Sequence, residues 1–137
     1  MNPGPSPFYK SSIGKKWIVA LTGLVLVGYV IGHLIGNLQI FLPDKGQINS
    51  YGAFLHAHVI LLWVVRIFLL ACFGLHILTT IQLAIENRAA RPERYAVTKR
   101  QQASWAGRTM VWSGLIVLCF VVFHLLHFTA QVVDPSY

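Results

Sequence analysis

The sequence predicts an all-α integral membrane protein: a helical bundle with three transmembrane helices in this chain and its N-terminus on the cytoplasmic side. Three observations predict it. Of the 137 residues, 55% are hydrophobic and only 11% charged, against about 25% charged in ordinary soluble domains. Three runs, at about 17–42, 59–84 and 109–133, each supply the roughly 20 apolar residues that a helix needs to cross hydrocarbon. Basic residues also collect beside alternate ends of these runs, the mark of a fixed orientation.

Taken in order, the opening MNPGPSPFYKSS is polar and rich in Pro and Gly. It lacks the short apolar core and cleavage site of a signal peptide, so the N-terminus is expected to be retained. The first span follows Lys10, Lys15 and Lys16. The link PDKGQINSYGAFLHAH then reads as turn-rich, with Asp44 opposing Lys45. After the second span, Pro92 and a dense run of charge stop the helix, and Arg88, Arg91, Arg94, Lys99, Arg100 and Arg108 precede the third. Lys and Arg favour short cytoplasmic loops, so the C-terminus is expected to emerge outside. The net charge of +7 therefore lies at one membrane face, where anionic lipid or a cytoplasmic partner is the natural counterpart and nucleic acid is not.

Cys72 and Cys119 sit in apolar runs at a spacing that matches no zinc or redox motif, and no disulfide is expected. The tryptophans Trp17, Trp63, Trp105 and Trp112 read as an interfacial belt and packing set.

Orientation turns sequence position into depth, at 1.5 Å of rise per residue. His33 lies about 25 Å along the first span and His124 about 24 Å along the third, both running outward, so the two are level. The second span runs inward and puts His76, roughly 27 Å along it, near the cytoplasmic side. His56 and His58 fall at the outer boundary, and His127 about one turn beyond His124 on nearly the same face. Ionisable groups inside a membrane are costly and usually face a partner or a cavity. A single such histidine is explained by a hydrogen bond to a neighbouring carbonyl. Three histidines on three spans also suit a haem iron with axial imidazoles, because neutral imidazole is a good iron ligand and porphyrin needs apolar walls. Zinc is disfavoured, lacking further ligands at that depth. Gly28, Gly32 and Gly36 form a small-residue stripe that admits either a close helix or a flat macrocycle. Arg66, about 12 Å into the second span and near the depth of His33, suits a haem propionate, a quinone pocket or snorkelling to the interface.

The segments SSIGKKWIVALTGLVLVGYVIGHLIGNL, NSYGAFLH, GLHILTTIQLAIENRAARPERYAV and SWAGRTMVWSGLIVLCFVVFHLLHF together resemble the cytochrome b membrane-anchor subunit of succinate dehydrogenase and fumarate reductase. The likeness is to the single-anchor, di-haem type that reacts with menaquinone, and it covers roughly residues 10–130. It implies a non-catalytic electron-transfer subunit of the cytoplasmic (inner) membrane, without a succinate site of its own. Flavoprotein and iron–sulfur subunits would be its partners, haem b its cofactor, and menaquinone or ubiquinone the electron acceptor or donor. It also implies that His33 and His124 share one haem and that His76 ligates a second, inner one. Family members of this type have five spanning helices, with the partner of His76 on the fourth, whereas this chain carries three. A further membrane chain, a longer parent chain, or an inner haem that is absent or differently ligated are the alternatives. His127 is an imidazole additional to the family's pattern, and where some relatives place a proton-exchanging glutamate in the outer loop this chain offers Asp44, His56 and His58. Two other readings stand beside this one: the cytochrome b subunit of another membrane dehydrogenase, and a haem-free scaffold whose histidines pass protons.

Overall fold

The computed structural model describes residues 8–44, 46–90 and 104–133. These fall in two compact units, 8–90 and 104–133. Among the described residues every regular element is helical.

In the first unit a short 3₁₀ turn, Phe8–Lys10, leads into α1, Ser12–Asn37. The start of α1 is fixed locally. The Ser11 hydroxyl donates to the Phe8 carbonyl at 2.9 Å and accepts from the Gly14 amide at 2.9 Å, satisfying a donor that the first helical turn leaves orphaned. Residue 14 has to be glycine here, because a Cβ would stand 2.0 Å from the Phe8 carbonyl oxygen. The helix thus begins five residues before the apolar run does, its amphipathic first turn carrying Lys15 and Lys16. At its other end α1 tightens into a 3₁₀ turn, Leu38–Phe41. Leu42 is then extended, as a residue preceding proline is driven to be.

The link expected to be turn-rich contains a helix, α2, Gly46–Ala57. Its breakers are clustered before the helix, at Pro43 and Gly46, and the Asp44 carboxylate accepts from the Gly46 amide at 2.8 Å to shape the turn. A break at His58 separates α2 from α3, Val59–Ala89. There the His58 ring Nδ1 lies 2.9 Å from the Phe54 carbonyl, donating the hydrogen bond that the interrupted helix no longer provides. α3 runs five residues past the expected end at 84 and stops before Pro92, which lies outside the described residues.

The second unit holds α4, Trp105–His124, capped by the Ser104 hydroxyl accepting from the Gly107 amide at 3.2 Å. The expected third span, 109–133, therefore starts four residues early. It also changes character at Leu125–Thr129, which form a π turn.

Three helical stretches, Ser12–Phe41, Val59–Ala89 and Trp105–Thr129, are long and apolar enough to cross a membrane. Their burial pattern inverts that of a soluble domain. Leu24, Ile60 and Ile116 are 70%, 79% and 69% exposed, and no large apolar side chain is buried among the described residues. Such a surface is stable only with hydrocarbon as solvent.

What is buried between α1 and α3 is polar or small. Lys15, Thr22 and Thr79 are buried, while the buried Gly14 and Gly36 of α1 are covered by Phe8 and by Tyr51 of α2. The Lys15 ammonium pairs with the Glu86 carboxylate and lies over the Tyr9 ring, 5.8 Å from its centroid. The Tyr9 hydroxyl in turn donates to Gln82 Oε1 at 2.8 Å. Midway along, Thr22 meets His76 at 3.0 Å. One hydroxyl on this seam, Thr79 Oγ1, is buried without a hydrogen-bond partner among the described residues. Replacing it by an apolar group of the same shape removes a desolvation cost. Thr79→Val is therefore expected to raise stability by about 1 kcal/mol, read as the thermal midpoint of the detergent-purified protein, and a lowered midpoint would reveal a hidden partner for the hydroxyl.

Candidate functional site

The contacts of Lys15 with Glu86 and Thr22 with His76 set α1 and α3 antiparallel and fix their register. That register places His33 level with residues 65–68 and so with Arg66. His33 and His76 consequently stand at two levels of the first unit, about 16 Å apart for the 11 residues of α1 between His33 and Thr22.

At the His33 level the ring is exposed. It stacks with Tyr29 one turn earlier, with centroids 5.4 Å apart and planes 28° apart, and the Tyr29 hydroxyl lies 3.4 Å from Nδ1. The Asn37 amide donates to the His33 carbonyl at 2.7 Å. Gly32 and Gly28 adjoin open space, for a Cβ built at either meets nothing within 4 Å. Gly36, the third glycine of the stripe, is different. A Cβ there would lie 2.8 Å from the Tyr51 hydroxyl and 3.0 Å from its ring, so this glycine is the seat of α2. The stripe thus divides into a packed position, Gly36, and two open ones, Gly28 and Gly32. Arg66 is exposed on α3, its guanidinium 5.3 Å from the centroid of the Trp63 ring. A cation at that depth in hydrocarbon calls for an anionic neighbour or a path to the interface.

At the second level the His76 ring is half-buried against α1. Its Nδ1 faces the Thr22 hydroxyl, and its Cε1 would be 3.2 Å from a Cβ on Gly23, so the bare backbone of Gly23 makes room for the ring. Thr22 was not among the residues singled out from sequence. A threonine inside an apolar run carries little signal alone, and its meaning comes only from the antiparallel register.

His124 and His127 belong to the second unit. His124, the last α-helical residue of α4, packs beside Phe120 and Phe128, with centroids at 5.7 and 5.1 Å. His127 lies against Phe123 and Phe128, at 5.5 and 4.3 Å. His127 falls within the π turn, whose longer hydrogen-bonded rings rotate the chain less per residue than α-helix does. It is therefore turned further from the His124 face than helical spacing alone places it.

His56 and His58 flank the α2–α3 break, where an open apolar groove is lined by Ala57, His58, Val59, Ile60, Leu61 and Val64. No group of three or more His, Cys, Asp or Glu side chains fit to hold a bare metal ion occurs among the described residues. Imidazole donors on apolar helices, with open backbone beside His33, fit a haem, which needs only axial nitrogens from the protein. The chain matches no protein-family model, no curated protein and no solved structure.

The glycine stripe makes a direct prediction. Gly36→Ala is expected to push Tyr51 off α1 and increase hydrogen exchange at the α2 amides. Gly32→Ala, facing open space, is expected to leave exchange in α2 unchanged and to strengthen α1 by about 0.5–1 kcal/mol. Equal exchange in the two variants would show that Tyr51 does not hold α2 in place.

Proposed function

We propose that this chain is the haem-binding membrane anchor of a succinate:quinone oxidoreductase, passing electrons between an iron–sulfur subunit and menaquinone or ubiquinone. The observation that supports the proposal is an imidazole on each of the three apolar helical stretches, His33, His76 and His124, and the pairing of His33 with His124 rests on the depth reckoned from the sequence. The sequence resemblance adds the identity of the partners: a flavoprotein and an iron–sulfur subunit on the cytoplasmic side of the inner membrane.

In this reading His33 and His124 would hold one haem b, and His76 would help to hold a second. Bound haem iron contributes a one-electron carrier that no side chain here offers. The rest falls to the protein. Apolar helix faces exclude water and keep the local dielectric low, and Gly28 and Gly32 leave room beside His33 for a planar group. Arg66, level with His33, provides the positive charge suited to a propionate. A haem held by His33 and His124 together would supply electron transfer rather than oxygen chemistry.

A reduced-minus-oxidised spectrum of the protein purified with its accompanying subunits tests the proposal, together with an inventory of those subunits. A low-spin α-band and co-purifying flavoprotein and iron–sulfur chains are expected. His33→Ala and His124→Ala are each expected to remove the same haem component while leaving that of His76. An absent α-band would eliminate the cytochrome reading in favour of a haem-free proton-transfer or scaffold role. A different cytoplasmic partner would assign the chain to another membrane dehydrogenase.

A further inference from the structure

The Thr22–His76 contact has a proton inventory that can be worked out atom by atom. Thr22 Oγ1 lies 2.7 Å from the Ile18 carbonyl, 3.2 Å from the Val19 carbonyl and 3.0 Å from His76 Nδ1. A hydroxyl has one proton to give and lone pairs to receive with. Carbonyl oxygens only accept, so the short 2.7 Å approach to Ile18 commits the hydroxyl proton to the backbone. Were the proton turned to Nδ1 instead, two oxygens would face each other at that distance with no hydrogen between them. Oγ1 therefore accepts, and Nδ1 must carry the hydrogen that it donates.

In a neutral imidazole a proton on Nδ1 leaves the lone pair on Nε2. Nε2 has no hydrogen-bond partner among the described residues, Nδ1 being the ring nitrogen engaged. Gly23 completes the arrangement, since the ring edge bearing Nδ1 and Cε1 rests where a side chain on residue 23 would otherwise stand. Metal-bound histidines characteristically donate their other ring N–H to a fixed acceptor, which sets both tautomer and orientation.

We infer that Thr22 is a positioning residue for His76: it holds the Nδ1–H tautomer and thereby makes Nε2 the ligand atom. The iron half of this inference rests on the haem reading above, while the tautomer half stands on the α1–α3 contact alone.

The experiment separates the two. Full-length chain labelled with ¹⁵N-histidine is embedded in lipid bilayers without haem, and the protonated ring nitrogen of His76 is identified by solid-state NMR, with His76→Gln assigning the signal. The wild type is expected to carry hydrogen on Nδ1 alone. Thr22→Val, which keeps volume and branching but accepts no hydrogen bond, is expected to give a mixture of both tautomers. Thr22→Ser is expected to restore the single one. A wild-type proton on Nε2, or an unchanged single tautomer in Thr22→Val, overturns the inference whatever the haem content.

A second arm measures haem in the protein purified with its accompanying subunits, scoring only the component lost in His76→Ala. Thr22→Val is expected to weaken haem retention at that level by about 10-fold or more, and Thr22→Ser to preserve it. Equal retention in wild type and Thr22→Val overturns the iron half. If His76→Ala removes no haem at all, the haem reading at His76 falls and takes the iron half with it, and the NMR result still decides the tautomer.

Discussion

The arrangement of α1 and α3 depends on one constraint: two apolar helices in hydrocarbon gain nothing from facing each other rather than lipid. Their association has to come from close packing and from polar groups that water cannot satisfy. The seam follows that rule along its length. Lys15 and Glu86 meet at one end and Thr22 and His76 in the middle, while beyond the seam Tyr51 reaches from α2 onto Gly36 of α1. Each contact is specific in register, whereas the surrounding leucines, valines and isoleucines would tolerate sliding. The polar residues therefore determine where His33 and Arg66 come to lie, although neither takes part in the seam.

Seen this way, the same side chains carry architecture and chemistry together. His76 fastens α3 to α1 through one ring nitrogen, and the other has no partner among the described residues. Thr79, one turn along the same seam, shows the opposite economy, a buried hydroxyl without a partner among the described residues.

The three spans were legible because their signal is compositional: long apolar runs bounded by charge need no tertiary information. Boundaries were less so. Hydropathy marks where hydrocarbon begins, whereas α1 starts where the Ser11 cap and the bare Cα of Gly14 allow it, five residues earlier. α2 was hidden by its own flanks, since Pro43 and Gly46 read as turn for the whole link although they shape only its entry. Depth along the helices could be calculated from the rise per residue, so the two histidine levels of the first unit were foreseeable. Thr22 was not, because its role exists only once α3 lies beside it, and neither was the division of the glycine stripe into packed and open positions. The π turn left no trace in HLLHF that periodicity could detect.

That π turn has a consequence for how the segment could change over time. Its hydrogen bonding, with the Ala130 amide reaching back to the Leu125 carbonyl at 2.8 Å, is what one surplus residue produces when a helix absorbs it rather than breaking. A single-codon insertion is thus enough to swing one of two neighbouring imidazoles to a different azimuth while its companion stays put. Paired histidines three positions apart by count become separable in lineage, one free to be lost or repurposed without disturbing the other.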